Sequence, residues 1–422
     1  MTRSTLRRLA VTLGPTLMLA VAMLGPASAA GAPRGVHVAL GADAHTSATI
    51  TWFTDGLDDP GTSVSYGPTA ALGSTATGTA AKTPGVDALT HEVALSALAS
   101  GSEVYYQVAD GPIRSFKTAP TGRTPFRFAA FGDIGVSAQA ARAVSSALAQ
   151  NPDLTIIPGD LSYANGNAPV WDTWFDRMEP LAATRPLMTA PGNHDSQLES
   201  GSGAYEARFA QPGAEYYYSF DYANVHFLIL HSTAGTAATQ GLLPGMIAFA
   251  ETDLADAAAR KATGEIDFIA VVQHHPLYGN QDAGLLGVEE RNTNPPLIAI
   301  EEPMLQAYDV DLLIAAHNHH FERSKPMVAS QPSTSERTNY VDPVGYVEII
   351  TGGGGQSLYA FKDQNDIASW SASYAKCFHI MSVSVDGKTL RADAISTDDN
   401  CFIKGNDYPA GSIIDTFSIT RS

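Results

Sequence analysis

The chain has 422 residues, of which 44% are hydrophobic and 16% are charged, and its formal net charge at pH 7 is −18. This length allows two or three domains with cores of their own. The negative charge disfavours binding to nucleic acid or to anionic membranes, because both repel an acidic surface.

Residues 1–29 have the three parts of a secretory signal peptide. Three arginines come first, an apolar stretch from Leu9 to Leu24 follows, and Pro26–Ala29 supplies small residues for cleavage. A Gly-Pro pair interrupts the apolar stretch, which leaves it too short for a transmembrane anchor. The pattern predicts a secreted protein, extracellular or in the periplasm or cell wall, without a membrane anchor. The pair Arg7-Arg8 leaves both the general and the twin-arginine route open.

Residues 32–120 are predicted to form an all-β domain. Apolar residues alternate with polar ones at Val36–Leu40, Ile50–Trp52 and Val104–Val108, and turn-forming residues separate these runs. About seven short strands with a tryptophan on an early strand are typical of fibronectin-like and immunoglobulin-like sandwiches. The domain has no cluster of ligand-type residues, so no chemistry is assigned to it.

Residues 125–422 follow a Pro/Gly/Thr-rich linker and alternate strand and helix patterns. Two strands flank the Ala-rich helix predicted over 137–150, and this βαβ unit places the loops after both strands at the same edge of a parallel sheet. Antiparallel pairs are predicted within 218–230 and 378–395, the second around an Asp-Gly turn. The sequence therefore predicts a mixed α/β domain.

Polar side chains follow five of the predicted strands directly. The central one is Asp160, which comes after the apolar strand Leu154–Ile157 in the run Gly-Asp-Leu-Ser-Tyr. The other four stretches contain Asp133, Asn193-His194-Asp195, His274-His275 and His317-Asn318-His319-His320. Ligands of open α/β sheets bind at such strand ends, and carboxylate, amide and imidazole groups are common metal ligands. The pattern therefore predicts a metal centre.

These motifs, in this order, resemble those of the purple acid phosphatases of the binuclear metallophosphoesterase superfamily. The motifs are Asp-x-Gly, Gly-Asp-x-x-Tyr, Gly-Asn-His-Asp, Val-x-x-His and x-His-x-His. Tyr163 is the most specific residue, because other metallophosphoesterases lack a tyrosine three positions after the bridging Asp. The resemblance implies a mixed four-layer α/β sandwich preceded by an all-β sandwich, the architecture of the larger members.

The resemblance also implies a ferric ion and a divalent ion of zinc, manganese or iron, bridged by Asp160. It assigns three further residues to each ion: Asp133, Tyr163 and His319 to the ferric ion, and Asn193, His274 and His317 to the divalent ion. The chemistry of the donors agrees, because a phenolate and carboxylates suit a trivalent ion, whereas imidazoles and an amide suit a divalent one.

His194 is implied to face the substrate and to donate a proton to a phosphate oxygen or to the leaving alkoxide. The alternative is that it only orients a ligand. Asp195 is expected to orient His194 in turn. His275 and His320 either line the pocket or lie behind the ligands.

Two departures from the family pattern affect the site. Ala316 stands where the family has a glycine before the last histidine pair, a change that requires only space. Plant members also carry a histidine pair shortly after the Val-x-x-His-x-Pro segment, where this chain has Tyr278 followed by Gly-Asn-Gln-Asp. The loss of that pair places more of the acid role on His194.

Cys377 and Cys401 are the only two cysteines of the chain. In an exported protein two cysteines are expected to form one disulfide, which here closes a C-terminal loop. The alternative is a pair of buried free thiols.

The combined interpretation is an exported phosphatase that hydrolyses phosphate monoesters by attack of a metal-bound hydroxide. Acid pH is expected to favour it, because a trivalent ion lowers the pKa of bound water further than zinc does. The expected partner is a small phosphate ester, with neither nucleic acid nor a membrane, and no oligomeric state is predicted. One alternative is a phosphodiesterase for nucleotides or glycerophosphodiesters. The other is a cell-surface binding protein with a vestigial metal domain, against which the complete ligand set argues.

Overall fold

The computed structural model describes residues 31–196, 203–233, 242–280, 293–361, 367–403 and 406–422. The predicted signal peptide lies outside these residues. The strands before residue 120 are β1 (Arg34–Leu40), β2 (Ala48–Asp55), β3 (Ser63–Gly67), β4 (Ser74–Thr77), β5 (Thr79–Lys82), β6 (Ala88–Leu95), β7 (Glu103–Val108) and β8 (Arg114–Lys117).

The elements from residue 126 onward form the second part of the molecule. They are β9 (Phe126–Ala130), α1 (Ala138–Ala149), β10 (Leu154–Pro158), α2 (Pro169–Ala182), β11 (Leu187–Ala190), α3 (Asn193–Ser196), α4 (Gly203–Glu206), β12 (Tyr218–Tyr222), β13 (Val225–Ile229), α5 (Pro244–Thr263), β14 (Phe268–Val272), α6 (Pro295–Ala307), β15 (Leu312–Ala315), β16 (Phe321–Ser324), β17 (Met327–Val328), β18 (Gln331–Pro332), β19 (Asn339–Val341), β20 (Val347–Thr351), β21 (Ser371–Ala375), β22 (His379–Asp386), β23 (Thr389–Ser396), β24 (Cys401–Ile403), β25 (Asn406–Tyr408) and β26 (Ile413–Thr420).

The first eight strands form two antiparallel sheets, in the orders β1-β2-β6-β5 and β4-β3-β7-β8. Their inward-facing residues make one apolar core between the sheets, as the alternating pattern requires. Trp52 is buried in this core, and its ring stacks on His91 with 5.0 Å between the centroids. This arrangement confirms the predicted fibronectin-like or immunoglobulin-like sandwich.

The second part has four layers, helix, sheet, sheet and helix. Its two mixed sheets have the orders β11-β10-β9-β22-β23-β26-β19 and β12-β13-β14-β15-β20-β16-β21. A large apolar core lies between them. Helices α1 and α2 cover the outer face of the first sheet, and α5 and α6 cover the outer face of the second. The predicted four-layer α/β sandwich is therefore confirmed.

The predicted βαβ unit is present as β9, α1 and β10, and its two strands pair in parallel. Helix α1 begins at its N-cap Ser137, whose side chain accepts a hydrogen bond from the Ala140 amide, 3.1 Å away. Ala140, Ala143 and Ala147 lie on one face of the helix and are buried against the sheet. The hairpin predicted around the Asp-Gly turn is also present, as β22 and β23.

The sequence also predicts helices over 252–262, before the strand at 268–272, and over 303–308, before the strand at 312–315, and the start of each is wrong. The patterns 252–262 and 303–308 are the C-terminal parts of α5 and α6, which begin at Pro244 and Pro295. In α6, Pro303 lies inside the helix and does not start it. A proline is favoured in the first turn of a helix, so a second proline in the interior was mistaken for the start.

The β-sandwich packs directly on α2. Phe53 of β2 contacts Phe175 of α2 with 4.7 Å between the ring centroids, and the Tyr106 hydroxyl donates to the Ala183 carbonyl at 2.7 Å. Arg114 forms an ion pair with Glu179. These contacts join the two parts through one continuous apolar cluster. Within the described ranges, no helix is both long enough and apolar enough to cross a membrane.

Candidate metal centre

The seven predicted ligands come from the carboxyl ends of strands in both sheets of the α/β part. The first sheet supplies four of them after β9, β10 and β11: Asp133, Asp160, Tyr163 and Asn193. The second sheet supplies three after β14 and β15: His274, His317 and His319. The site therefore lies where the edges of the two sheets meet, and neither sheet could form it alone.

Four of the ligand residues have an unusual backbone conformation. Asp133, Asp160, Tyr163 and His317 have positive φ angles of 55°, 52°, 56° and 66°. A residue with a Cβ atom reaches this left-handed region at a cost of roughly 1–3 kcal/mol, and such residues concentrate at functional sites. Here the turn that follows each strand directs the ligand side chain into the space between the sheets.

Glycines allow the chain to pass close to these ligands. A Cβ atom on Gly192 would lie 2.1 Å from Asp160 Oδ1, and one on Gly352 would lie 2.6 Å from Asp133 Oδ2. Gly352 belongs to a run of four glycines that follows β20 and covers the loop of Asp133. The departure at Ala316 is accommodated in the same way, because its methyl group packs against Gly132.

Three of the predicted ligands form the first half of the site. The Tyr163 hydroxyl lies 2.9 Å from Asp133 Oδ1 and 2.9 Å from His319 Nε2. His319 Nε2 lies 3.2 Å from the same Asp133 oxygen. The other ring nitrogen of His319 donates to the Ser357 carbonyl at 2.8 Å, so Nε2 is the nitrogen available to a ligand.

The second half of the site contains one amide and two imidazoles. Asn193 Oδ1 lies 3.1 Å from His274 Nε2 and 3.1 Å from His317 Nδ1. The Asp160 carboxylate joins this half, with Oδ1 at 3.3 Å from His274 Nε2. His274 donates from Nδ1 to the Pro158 carbonyl at 3.0 Å, which directs Nε2 into the site. Ligand atoms of Asp160, His274 and His317 all lie within 4.8 Å of one another.

The residues present fit a pair of cations. Buried oxygen and nitrogen acceptors converge on one small space, where a cation satisfies all of them at once. Burial and the carboxylates of Asp133 and Asp160 strongly raise the pKa of Tyr163, so only a bound cation would favour its phenolate form. The first half offers the anionic oxygens of a carboxylate and a phenolate as ligands, and the second offers a neutral amide and two neutral imidazoles. This difference suits two different ions.

His194 lies at the open side of the site, with 31% of its side chain exposed. Its backbone amide donates to Asp160 Oδ1 at 2.9 Å, and its ring packs against Tyr163 with 4.3 Å between the centroids. Ring nitrogen Nδ1 lies 2.6 Å from Asn165 Oδ1. Because the amide oxygen can only accept, it holds the proton on Nδ1 and leaves Nε2 facing the site.

The expectation that Asp195 orients His194 is wrong. The Asp195 carboxylate is buried and accepts hydrogen bonds from the backbone amides of Leu161 and Gly192, at 3.1 and 2.9 Å. It therefore ties the loop after β10 to the loop after β11. Burial and the nearby Asp160 carboxylate raise the pKa of Asp195 above its ordinary value.

Neither additional histidine is exposed. His275 is buried, and its ring packs against His317 with 4.3 Å between the centroids. Burial and the neighbouring His274 lower the pKa of His275 to about 3, so it is a neutral ring. His320 is buried behind the ligands, against Phe361 and 3.6 Å from the Glu322 carboxylate. Both therefore lie behind the ligands, which was one of the two expected roles.

Sequence reasoning missed two parts of the site. Asn165 had no motif to mark it, because its role depends on the fold of the loop that follows Tyr163. The run Gly352–Gly355 was visible in the sequence, and four consecutive glycines after a β-branched run such as Val347–Thr351 are a signal for close backbone approach. That signal could have placed this loop beside the site.

Two family models match the chain in series. The model for calcineurin-like phosphoesterases matches residues 126–321, and the model for the N-terminal domain of purple acid phosphatases matches residues 33–119. The second match decides the family, because it adds the characteristic sandwich to the phosphoesterase domain. The chain belongs to the purple acid phosphatase family.

Individual proteins agree with this family assignment. Purple acid phosphatase 22 of Arabidopsis thaliana is 31% identical over 277 residues, which cover 63% of this chain and 58% of the plant protein. An uncharacterized protein of Mycobacterium tuberculosis is 27% identical over 407 residues, covering 82% of this chain and 75% of the relative. The chain thus spans less than two thirds of the length of the Arabidopsis purple acid phosphatase.

Solved structures show the same fold. A purple acid phosphatase from yellow lupin (Lupinus luteus) seeds superposes with a TM-score of 0.76 at 23% identity, covering 93% of this chain and 75% of the lupin chain. The structure of PhoD superposes with a TM-score of 0.66 at 12% identity, covering 94% of this chain and 92% of the other. At these identities the likeness is one of fold.

Proposed function

We propose that this purple acid phosphatase family member is exported and hydrolyses small phosphate monoesters, with highest activity below neutral pH. The observation that carries the proposal is the position of Tyr163, whose hydroxyl contacts both Asp133 and His319 in the first half of the site. A phenolate in this position selects a ferric ion. The second half would hold zinc, manganese or ferrous iron.

The ions would hold the phosphoryl oxygens and activate the attacking water when bound. The side chains of the chain supply the remaining functions. Asp160 lies between the two halves, and the backbone amide of His194 restrains it. His194 Nε2 faces the open side. Because Nδ1 already carries a proton, Nε2 can donate to a phosphate oxygen or to the leaving alkoxide only from the doubly protonated ring. Asn165 keeps that ring in place.

The charge of the protein supports a small substrate. A net charge of −18 repels polyanions over long distances, whereas a single phosphate group is attracted locally by buried cations. The open side of the site carries His194 and no described cluster of lysine or arginine residues. A small ester therefore suits the site better than a nucleic acid does.

Replacement of Tyr163 by phenylalanine tests the metal assignment. Phenolate bound to ferric iron absorbs visible light, so the oxidised wild type should be pink to purple, and Tyr163→Phe should be colourless with a measurable fraction of its phosphatase activity. Asp160→Asn should lose both, because a neutral amide cannot bridge and neutralise two cations. A colourless iron-loaded wild type, or a Tyr163→Phe variant that keeps its absorption band, would contradict the assignment.

A comparison of substrates and pH values tests the reaction. We expect faster hydrolysis of a monoester model substrate than of a diester, and a pH-rate profile with its maximum below pH 7, as a trivalent ion implies. A maximum well into the alkaline range with preference for the diester would support the phosphodiesterase alternative instead. Export is tested separately, by N-terminal sequencing of protein recovered from outside the cytoplasm, which should start near Ala30.

A further inference from the structure

A layer of buried carboxyl groups lies behind the second half of the site. Its members are almost fully shielded from solvent and come from three elements: Glu301 and Glu302 from α6, Glu322 from β16 and Glu348 from β20. None of the four makes an ion pair with a lysine or arginine within the described ranges. The layer packs against the segment 273–280, which carries the ligand His274.

Three of these carboxyl groups accept hydrogen bonds from that segment. Glu348 accepts from the backbone amides of Leu277 and Tyr278, at 2.6 and 3.1 Å. Glu322 accepts from the Asn280 amide at 2.9 Å, and Glu302 accepts from the Tyr278 hydroxyl at 3.1 Å. These carboxyl groups therefore hold the chain that follows His274.

Glu301 differs from the other three. It is fully buried, and neither of its oxygens has a hydrogen-bond donor among the described residues. The group that faces it is the side-chain amide of Gln273. Gln273 already donates from Nε2 to the His275 carbonyl at 2.9 Å, and its Oε1 also lacks a donor. Both oxygens of Glu301 and the Oε1 atom of Gln273 are thus buried acceptors that lack a donor among the described residues.

We propose that Glu301 is a neutral carboxylic acid whose O–H donates to Gln273 Oε1, and that it thereby acts as a positioning residue for His274. A proton on Glu301 removes the conflict between the acceptors, because the acid becomes a donor. Gln273 is then held from both ends and fixes the carbonyl of His275. That carbonyl sets the direction of the turn in which His274 points into the site.

The surroundings of Glu301 favour the acid form. Burial raises the pKa of Glu301 to about 8. The titratable groups that face this layer from the neighbouring elements are Glu302, Glu322, Glu348, Tyr278, Tyr346 and His320. Most of them are acids, which oppose a further negative charge.

Isotope-edited infrared spectroscopy and unfolding measurements test the protonation, and neither requires bound metal. The difference spectrum of wild type minus Glu301→Gln at neutral pH should contain a protonated-carboxyl band, because any other neutral glutamate, such as Glu348, cancels in the difference. The unfolding constant of wild type relative to Glu301→Gln should rise by up to about tenfold per pH unit between pH 4.5 and 8, because only the carboxyl must lose a proton there.

Glu322→Gln is the matched control. Both oxygens of Glu322 accept N–H donors from Asn280, so an amide at this position must turn an NH2 group toward one of them. We expect this variant to be destabilised at every pH. If the difference spectrum lacks this band, or if Glu301→Gln is destabilised as Glu322→Gln is, Glu301 is ionised and the proposal is wrong.

Metal binding tests the positioning role, and this part rests on the proposed function. In Glu301→Leu the side chain cannot donate a hydrogen bond to Gln273. The affinity of this variant for the divalent ion should therefore fall about 10-fold, with its ferric ion content unchanged. Glu301→Gln can donate from its amide and should restore the affinity. Unchanged affinity in Glu301→Leu would overturn the positioning role. A wild type that binds no metal would instead overturn the proposed function, and the infrared comparison would still decide the protonation of Glu301.

Discussion

His194 has one restrained ring nitrogen and one free one. Its Nδ1 atom lies 2.6 Å from Asn165 Oδ1, whereas Nε2 lies 4.0 Å from Asp160 Oδ2 on the open side. Asn165 itself has a positive φ of 49°, so the loop is shaped to bring its amide to the ring. Asn165 therefore determines which ring nitrogen of His194 faces the open side.

The first prediction concerns Asn165. Asn165→Ala should lower kcat about 10-fold with little change in KM, because the ring of His194 loses the hydrogen bond that fixes the direction of Nε2. His194→Ala should cost more, about 100-fold in kcat, since it removes the donor itself. Steady-state kinetics on both variants measure the effects. Asn165→Asp retains an acceptor and serves as control, and an Asn165→Ala variant with wild-type kcat would contradict the assigned role.

The second prediction concerns Gly192. In Gly192→Ala the new methyl group would lie 2.1 Å from Asp160 Oδ1, so this carboxylate must move. A displacement of about 1 Å at a reacting centre can cost 100-fold in rate, and we expect a loss of that order together with a lower metal content. Gly245→Ala is the control, because a methyl group there meets no atom within 4 Å. Equal activity of the two variants would refute the argument.

At the scale of the elements, a disulfide joins two segments near the C-terminus. Cys377, just after β21, forms a disulfide with Cys401, the first residue of β24, across 24 positions. The structure thus selects the bridge over the two free thiols. The bridge ties β24 to the segment that follows β21, and neither cysteine is among the predicted ligands.

The third prediction follows from the disulfide. The double replacement Cys377→Ser and Cys401→Ser should lower the free energy of unfolding by about 3 kcal/mol, the value that chain entropy gives for a loop of this size. Denaturant titration measures the change. Metal content and activity should stay at wild-type levels, and a loss of metal in the folded double variant would show that the loop supports the site.

His226 joins β13 to β12 and α5. Its ring nitrogens lie 2.8 Å from Asp221 Oδ1 and 2.8 Å from Asp253 Oδ2. Burial alone would lower the pKa of His226, but the hydrogen bonds to Asp221 and Asp253 raise it to about 9. Because the pKa is raised in the folded state, the stabilisation is complete below pH 6.5 and is lost as the pH rises through 9.

The fourth prediction is that His226→Gln removes this pH dependence. Wild type should lose up to roughly 3 kcal/mol of unfolding free energy between pH 6.5 and 9 through this group, whereas the variant should not. Denaturant titrations of both proteins across this range measure the difference. If wild type and variant keep a constant difference in stability from pH 6.5 to 9, the network does not hold a protonated His226.

The whole molecule is held together by the packing of the β-sandwich on α2. Phe53 of the sandwich shares one apolar cluster with Trp171, Trp174 and Phe175 of the helix. Helix α2 also covers the sheet whose strands β9, β10 and β11 end at the metal centre. The sandwich therefore contributes to the core that supports the site, although it contributes no ligand.

The fifth prediction is that the two parts unfold together. Phe53→Ala should lower the free energy of unfolding by about 3–5 kcal/mol and shift one common calorimetric transition. Leu57→Ala is the control, because Leu57 is 52% exposed and its loss should change stability by less than about 0.5 kcal/mol. Two separate transitions, of which Phe53→Ala moves only one, would show that the parts unfold independently.

Local patterns in the sequence were sufficient for much of the fold. The alternation of Val36–Leu40, the N-cap Ser137 and the turn after Asp386 depend on neighbours along the chain, and the structure has a strand, a helix start and a hairpin at these places. The positions of the ligand types after strand ends were equally local, and the resemblance to the purple acid phosphatases then selected the seven candidate ligands.

Tertiary structure decided how those local pieces meet. Asp195 follows His194 in the chain, yet its carboxylate turns to the amides of Leu161 and Gly192, because the loops after β10 and β11 lie side by side. Asn165 reaches His194 for the same reason. The meeting of two sheets at one edge and the buried acid Glu301 depend on contacts between residues far apart in the chain. Sequence spacing carries no information about such contacts, because they form only when the layers pack.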